Sequence, residues 1–171
     1  MPTIPTIGDI ARQVRELLAA DPYLNGEGDL DGASAFRTFT PDGTTEKTNL
    51  PIKAALPQIQ IREATSLVAQ AVRPAGIGEA LCTYTFEIWL YADERANAEA
   101  AREFIRVGVR NVTERFLRAP YGDPPGTWEL TILGEATFLL VKLTDRFWGT
   151  AARLPLTVTQ IIPVDCIRID S

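Results

Sequence analysis

The sequence predicts an α+β fold: one domain over residues 1–171, a mostly antiparallel or mixed sheet of about five or six strands, an N-terminal helix, and one long helix packed on one face. Three observations carry this. Residues 81–90 alternate strictly, with Cys82, Tyr84, Phe86, Ile88 and Leu90 on one side and Thr83, Thr85 and Glu87 on the other, which reads as a strand with one buried face. Directly after it, Phe104, Ile105, Gly108, Val112 and Phe116 return every three or four residues, a helical stripe able to cover that face. A chain of 171 residues with 46% hydrophobic and 23% charged residues suits a single core.

In chain order, Ile7, Ile10, Ala11, Val14, Leu17 and Leu18 follow helical spacing. The helix is expected from Ile7 to about Ala20, with Arg12, Arg15 and Glu16 on its wet side and Asp21-Pro22 as the stop. Tyr23 to Ala35 reads as irregular. Its NGEGDLDG segment places Glu27, Asp29 and Asp31 in the slots of a calcium loop, but position twelve is Thr38 rather than a bidentate glutamate, so a glycine-rich acidic turn is the expectation.

Alternation over Phe36–Thr40 and Leu56–Arg62 predicts two strands joined as a long hairpin, with an arm around residues 40–56. In the second, Ile59 and Ile61 face the core and Gln58, Gln60 and Arg62 face water. A connection of that length is usually functional or mobile, and its Lys47 and Lys53 are candidate contacts. Ala64 to Gly78, rich in small residues, reads as a link to the next strand. Asp93 stands where the long helix needs an N-cap.

Beyond the helix, Ala119–Thr127 is a breaker cluster. Strands are expected over Trp128–Leu133 and Thr137–Leu143, turned at Gly134-Glu135, and the run TFLLVKL predicts burial on both faces in a central strand. Thr144–Ala152 reads as a loop carrying Arg146, Phe147 and Trp148. The aromatic pair is either a core plug or a contact anchor. Arg153–Val164 closes the fold as a last strand.

Composition narrows the chemistry. With no histidine, the chain has no Ser-His-Asp or Cys-His machinery and no Cys2His2 zinc site. Seventeen basic residues against 22 acidic ones give a formal charge of −5, which opposes general nucleic-acid binding. Cys82 and Cys166 lie far apart and suit free thiols in a cytoplasmic chain. The opening residues do not read as a secretory signal, and no apolar run reaches the ~20 residues that span a bilayer, so a soluble chain without a membrane partner is expected. No phosphate-binding glycine loop is present, and no cofactor or metal is expected.

Carboxylates are the remaining catalytic equipment. Glu99 and Glu103 lie one turn apart, but Arg102 and Arg106 are within reach of both, which suggests a salt-bridged helix face. Arg95, Arg102, Arg106, Arg110 and Arg118 form a partial stripe that solubilises the helix or grips an anion. A carboxylate-dependent enzyme and an anion-binding module are thus alternatives to a structural role.

The order of elements carries a resemblance. An amphipathic first helix, a hairpin ending in LPQIQIRE, a strand YTFEIWLYA, a long helix opening with small and acidic residues, and three strands with an arginine-containing loop together resemble the tail terminator, or tail completion, proteins of long-tailed bacteriophages. The likeness spans nearly the whole chain through pattern rather than a signature motif. It implies a structural, non-enzymatic virion protein at the head–tail junction, assembled in the host cytoplasm. Six copies would form a ring that caps the tail tube, ends its polymerisation and meets the head connector, with DNA passing through without sequence-specific binding. Other neck or tube-initiator proteins share the layout and are the alternative. Closing a ring needs heterologous surfaces outside the core. On that reading Phe147, Trp148, Arg146, Lys47, Lys53, Arg102 and Arg106 are the candidate contacts, and no catalytic, cofactor or metal residue is assigned.

Overall fold

The computed structural model describes residues 4–27, 35–40, 51, 55–71, 79–93, 97–144 and 147–163. Helix α1 (Ile7–Ala19) begins at Thr6, whose Oγ1 accepts from the Asp9 N–H at 3.1 Å while the Asp9 carboxylate accepts from the Thr6 N–H at 2.9 Å. This reciprocal box satisfies two backbone donors, and it holds the Asp9 carboxyl below the usual carboxylate range through the Thr6 bonds. Ile10, Ala11, Val14, Leu17 and Leu18 are buried, as their spacing requires.

After Asp21 the chain does not become irregular at once. A short helix, α2 (Pro22–Asn25), forms because Asp21 caps it, accepting from the Tyr23 N–H at 2.9 Å, and Pro22 sits where its missing N–H costs nothing. The calcium-like segment beyond Glu27 lies outside the described residues, as do Cys166 and most of the 40–56 arm.

The sheet runs β1 (Thr38–Thr40), β2 (Gln58–Ala71), β3 (Glu79–Ala92), β6 (Phe147–Pro163), then β4 (Leu130–Leu133), with β5 (Thr137–Thr144) also on β6. It is mixed. β2, β3 and β6 are antiparallel neighbours, whereas β1 runs parallel to β2, Phe39 opposite Ile59. The expected hairpin between β1 and β2 is therefore absent: a parallel pair forces the connection back to the starting end. β2 is also longer than expected. Ala64–Ala71, expected as linker, continues the strand, and irregularities at Glu63/Thr65 and Thr65/Val68 let the ladder resume after the residues that spoil strict alternation.

Helix α3 (Ala98–Arg118) packs on β3 and β6, and α1 on β2. Its cap is Asn97, whose side chain accepts from the Ala100 N–H at 2.8 Å, so Asp93 is not the cap and the helix starts later than expected. The stripe Phe104, Ile105, Gly108, Val112 and Phe116 is buried against Cys82, Tyr84, Phe86, Ile88 and Leu90, as is Phe36 from the segment before β1. Gly108 allows the close approach: an added Cβ would stand 2.8 Å from Phe36 Cζ and 3.0 Å from Leu90 Cδ2.

The last third departs most from expectation. β4 and β5 do not pair with each other but lie end to end along the outer edge of β6, Leu133 opposite Leu156 and Thr137 opposite Arg153. Gly134 bridges them, its N–H donating to the Pro155 carbonyl at 2.7 Å. The turn at Gly134-Glu135 is thus an interruption in one edge, and the hairpin is the β5–β6 pair. Phe147 and Trp148 open β6 rather than sit in a loop, because Lys142 and Thr144 hold their backbone in the ladder. Among the described residues β5 is an edge strand, not a central one: Phe138 is 52% and Leu140 72% exposed. Its unbroken apolar run reflects two faces at a rim, not burial.

Candidate interaction surface

Among the described residues, two polar constellations tie the fold together and an exposed rim lies beside them. The first joins the C-terminal end of α3 to the N-terminal helices. Asp21 is fully buried and its carboxylate accepts from Arg118 Nη2 at 2.7 Å, with Arg115 Nε 3.8 Å away. Arg115 also donates to the Leu17 carbonyl at 3.1 Å and to Asp123 at 3.2 Å. Asp21 therefore caps α2 and anchors the C-terminal turn of α3 with one side chain. Its position before Pro22 signals a helix boundary, but the pairing with Arg115 and Arg118 across nearly a hundred residues left no trace in local pattern.

The second lies on the sheet face away from the helices. Gln58 and Gln60, expected in water, are fully buried there. Gln60 donates to Gln58 Oε1 at 2.7 Å and Arg62 Nε to Gln60 Oε1 at 3.0 Å, while Arg62 also donates to the Tyr91 hydroxyl and lies 4.5 Å over the Trp89 ring. Trp89 stacks on Tyr91 and donates to Glu87 at 2.8 Å. Burial pushes the Tyr91 hydroxyl up to about 12 against the opposing pull of Arg62. Leu56, Tyr91 and Ala151 make a small second core here with Leu139 and Val141 from β5. The stack of arginine on indole and phenol is cation–π packing, which helps to hold a half-buried guanidinium.

The exposed rim lies where α3 meets β5. Arg106 donates to Glu99 at 2.9 Å and to Glu103 at 3.3 Å, and Arg102 lies 3.7 Å from Glu99. Those bonds, Glu99 first, hold the Arg106 guanidinium above its ordinary pKa. All four side chains are exposed, so the expected salt-bridged face is present. Arg102 and Arg106 also line a groove of about 350 Å³ with Phe138, Leu139, Leu140 and Thr150. The two arginines singled out from sequence thus meet two exposed apolar side chains that sequence had assigned to the core.

Of the other candidates, Arg146, Lys47 and Lys53 lie outside the described residues. Phe147 and Trp148 are placed by their backbone pairing alone. Among the described residues, no group of three or more Cys, Asp or Glu is gathered as a metal-ligand set. None of the described helices is long and apolar enough to cross a membrane. No protein family model matches the chain, and no curated protein matches it.

Proposed function

We propose that this chain is the repeating subunit of a closed ring at the head–tail junction of a long-tailed bacteriophage, a tail-terminator-like protein that caps the tail tube and meets the head connector. The observation that carries the reading is the apolar outer edge of β4 and β5: Ile132, Phe138 and Leu140 are all more than half exposed in one chain. A natural sheet rarely leaves such an edge open without a partner, because unpaired backbone groups flanked by apolar side chains recruit another strand. The order of elements, with a long helix laid over a sheet, supports the same class.

Arg102 and Arg106 fit this better than the anion-binding alternative. Each is already engaged by Glu99, and a guanidinium so paired has less attraction left for a phosphate. The net charge of −5 lets DNA pass without being held.

Light scattering across a wide concentration range, with electron microscopy of the same sample, tests the reading. A closed multimer of constant mass that binds the ends of tail tubes is expected. A strictly monomeric mass at high concentration, together with no binding to tubes, overturns it.

A further inference from the structure

Among the described residues β5 pairs with β6 alone. Along its helix-side face Phe138, Leu140 and Lys142 follow one another at every second position, and all are exposed. Lys142 makes no ion pair among the described residues. A strand laid antiparallel beside β5 sets one of its own side chains opposite each of these. The row therefore selects a carboxylate for Lys142 and large apolar side chains for Leu140 and Phe138. In sequence this is an acidic residue followed, two and four places on, by apolar residues larger than alanine.

Three acidic residues of this chain begin such a run: Glu87 with Trp89 and Tyr91, Glu103 with Ile105 and Val107, and Asp165 with Ile167 and Ile169. The first run lies inside β3 and the second inside α3. The third follows β6 and lies outside the described residues.

We propose that residues 165–169 of one copy add an antiparallel strand to β5 of a second copy, with Asp165 beside Lys142, Ile167 beside Leu140 and Ile169 beside Phe138. This rests on the ring reading above and names the joint between its subunits.

Reach requires that the two strands belong to different molecules. Lys142 stands level with Trp148, which precedes Pro163 by 15 residues on β6. At about 3.3 Å per residue that is about 50 Å along the strand, whereas the step from Pro163 to Asp165 spans at most about 7 Å. A chain's own segment cannot take this register on its own β5. Passing the segment of one copy to the edge of the next joins unlike surfaces, a heterologous contact of the kind that closes into rings larger than dimers. Ile167 and Ile169 then fill the groove lined by Arg102, Arg106, Phe138 and Leu140, and on the opposite face Cys166 meets Val141.

That last pair supplies the test. Val141→Cys in the full-length chain sets a thiol opposite the native Cys166 of the second copy, at the cross-strand spacing a disulfide spans. The other native cysteine, Cys82, is buried. Oxidation with diamide should give a covalent ladder beyond dimer on a non-reducing gel, and adding Cys166→Ser should abolish it. Charge exchange is the second arm. Lys142→Glu and Asp165→Lys each set like charges opposite one another, and each should raise by about tenfold the concentration at which the light-scattering mass reaches half its plateau. The two together in one chain should restore the parent value, with the melting temperature of Lys142→Glu unchanged because Lys142 is exposed. A multimer that forms normally but gives no ladder dependent on Cys166, or in which the reversals do not weaken assembly singly and restore it together, overturns this pairing while leaving the ring intact. A chain that is monomeric before any substitution and does not bind tubes overturns the ring as well.

Discussion

Ile105 is fully buried between α3 and the sheet and Phe104 nearly so, the latter with its ring 5.0 Å from that of Phe36. Ile105→Ala or Phe104→Ala removes several methylene equivalents from a site walled by rigid elements, so each should cost about 2–5 kcal/mol, read as a lower urea midpoint at constant m-value. Asp21 is a sharper case because one carboxylate accepts from the Tyr23 N–H and from Arg118 and lies in ion-pair range of Arg115. Asp21→Ala leaves Arg115 and Arg118 facing a hole and uncaps α2, and should cost about 3 kcal/mol, the lower end for breaking a buried pair because Arg118 reaches solvent. A loss under about 1 kcal/mol in the same denaturation would mean that the pairing contributes little. The tyrosines give a pH test. Tyr84, which donates to the Pro5 carbonyl at 2.8 Å, and Tyr91 are both pushed up to about 12, chiefly by burial. The unfolded chain ionises near the ordinary value of 10, so the unfolded state loses its protons first. Stability from these two groups is therefore whole below about pH 10 and is lost as pH rises from about 10 to about 12. Ultraviolet titration should show two late tyrosines, with unfolding following their ionisation.

At the scale of elements, period and breaker residues exposed the segments themselves but not their partners. α1, β3 and α3 were legible because each carries an uninterrupted stripe, and all of those stripe residues are buried except Ile7, which opens α1 and is half-buried. Pairing direction is not written in a period-two pattern, so β1 looked like the arm of a hairpin until its parallel register with Gln58–Gln60 set it otherwise. Asp93 and Asn97 are both good caps, and only the first backbone bond, from the Ala101 N–H to the Asn97 carbonyl, decides between them. β5 was misplaced for a more instructive reason: TFLLVKL is as apolar as a central strand, and composition alone does not separate an apolar rim from a strand with a neighbour on each side. Gly108 gives this scale its prediction. Gly108→Ala gains about 1 kcal/mol of helix propensity but drives a methyl against Phe36 and Leu90, where overpacking costs about 1–3 kcal/mol. The net expectation is a loss of about 1 kcal/mol, because Phe36 is itself wedged against Phe104 and cannot retreat freely. A variant more stable than the parent would show that the ring can move.

For the whole molecule, the separation between what folds the chain and what joins it to others is itself testable. Among the described residues, the charged partners of Arg102 and Arg106 are exposed glutamates, and such pairs contribute little to folding. They also roof the groove that holds Phe138 and Leu140. In a free subunit the Arg102→Ala, Arg106→Ala double substitution should therefore shift unfolding by no more than about 0.5 kcal/mol. In the proposed ring, with this groove in the contact, the same arginines would lie over a surface from which water is excluded, where their aliphatic stems cover apolar surface and their charges, held by Glu99 and Glu103, are less screened. The double variant should then assemble at least tenfold more weakly, measured as the concentration at which the light-scattering mass reaches half its plateau. Equal assembly by parent and variant would place the joining surface away from this groove. A large loss of folding stability would mean that the arginines belong to the core after all.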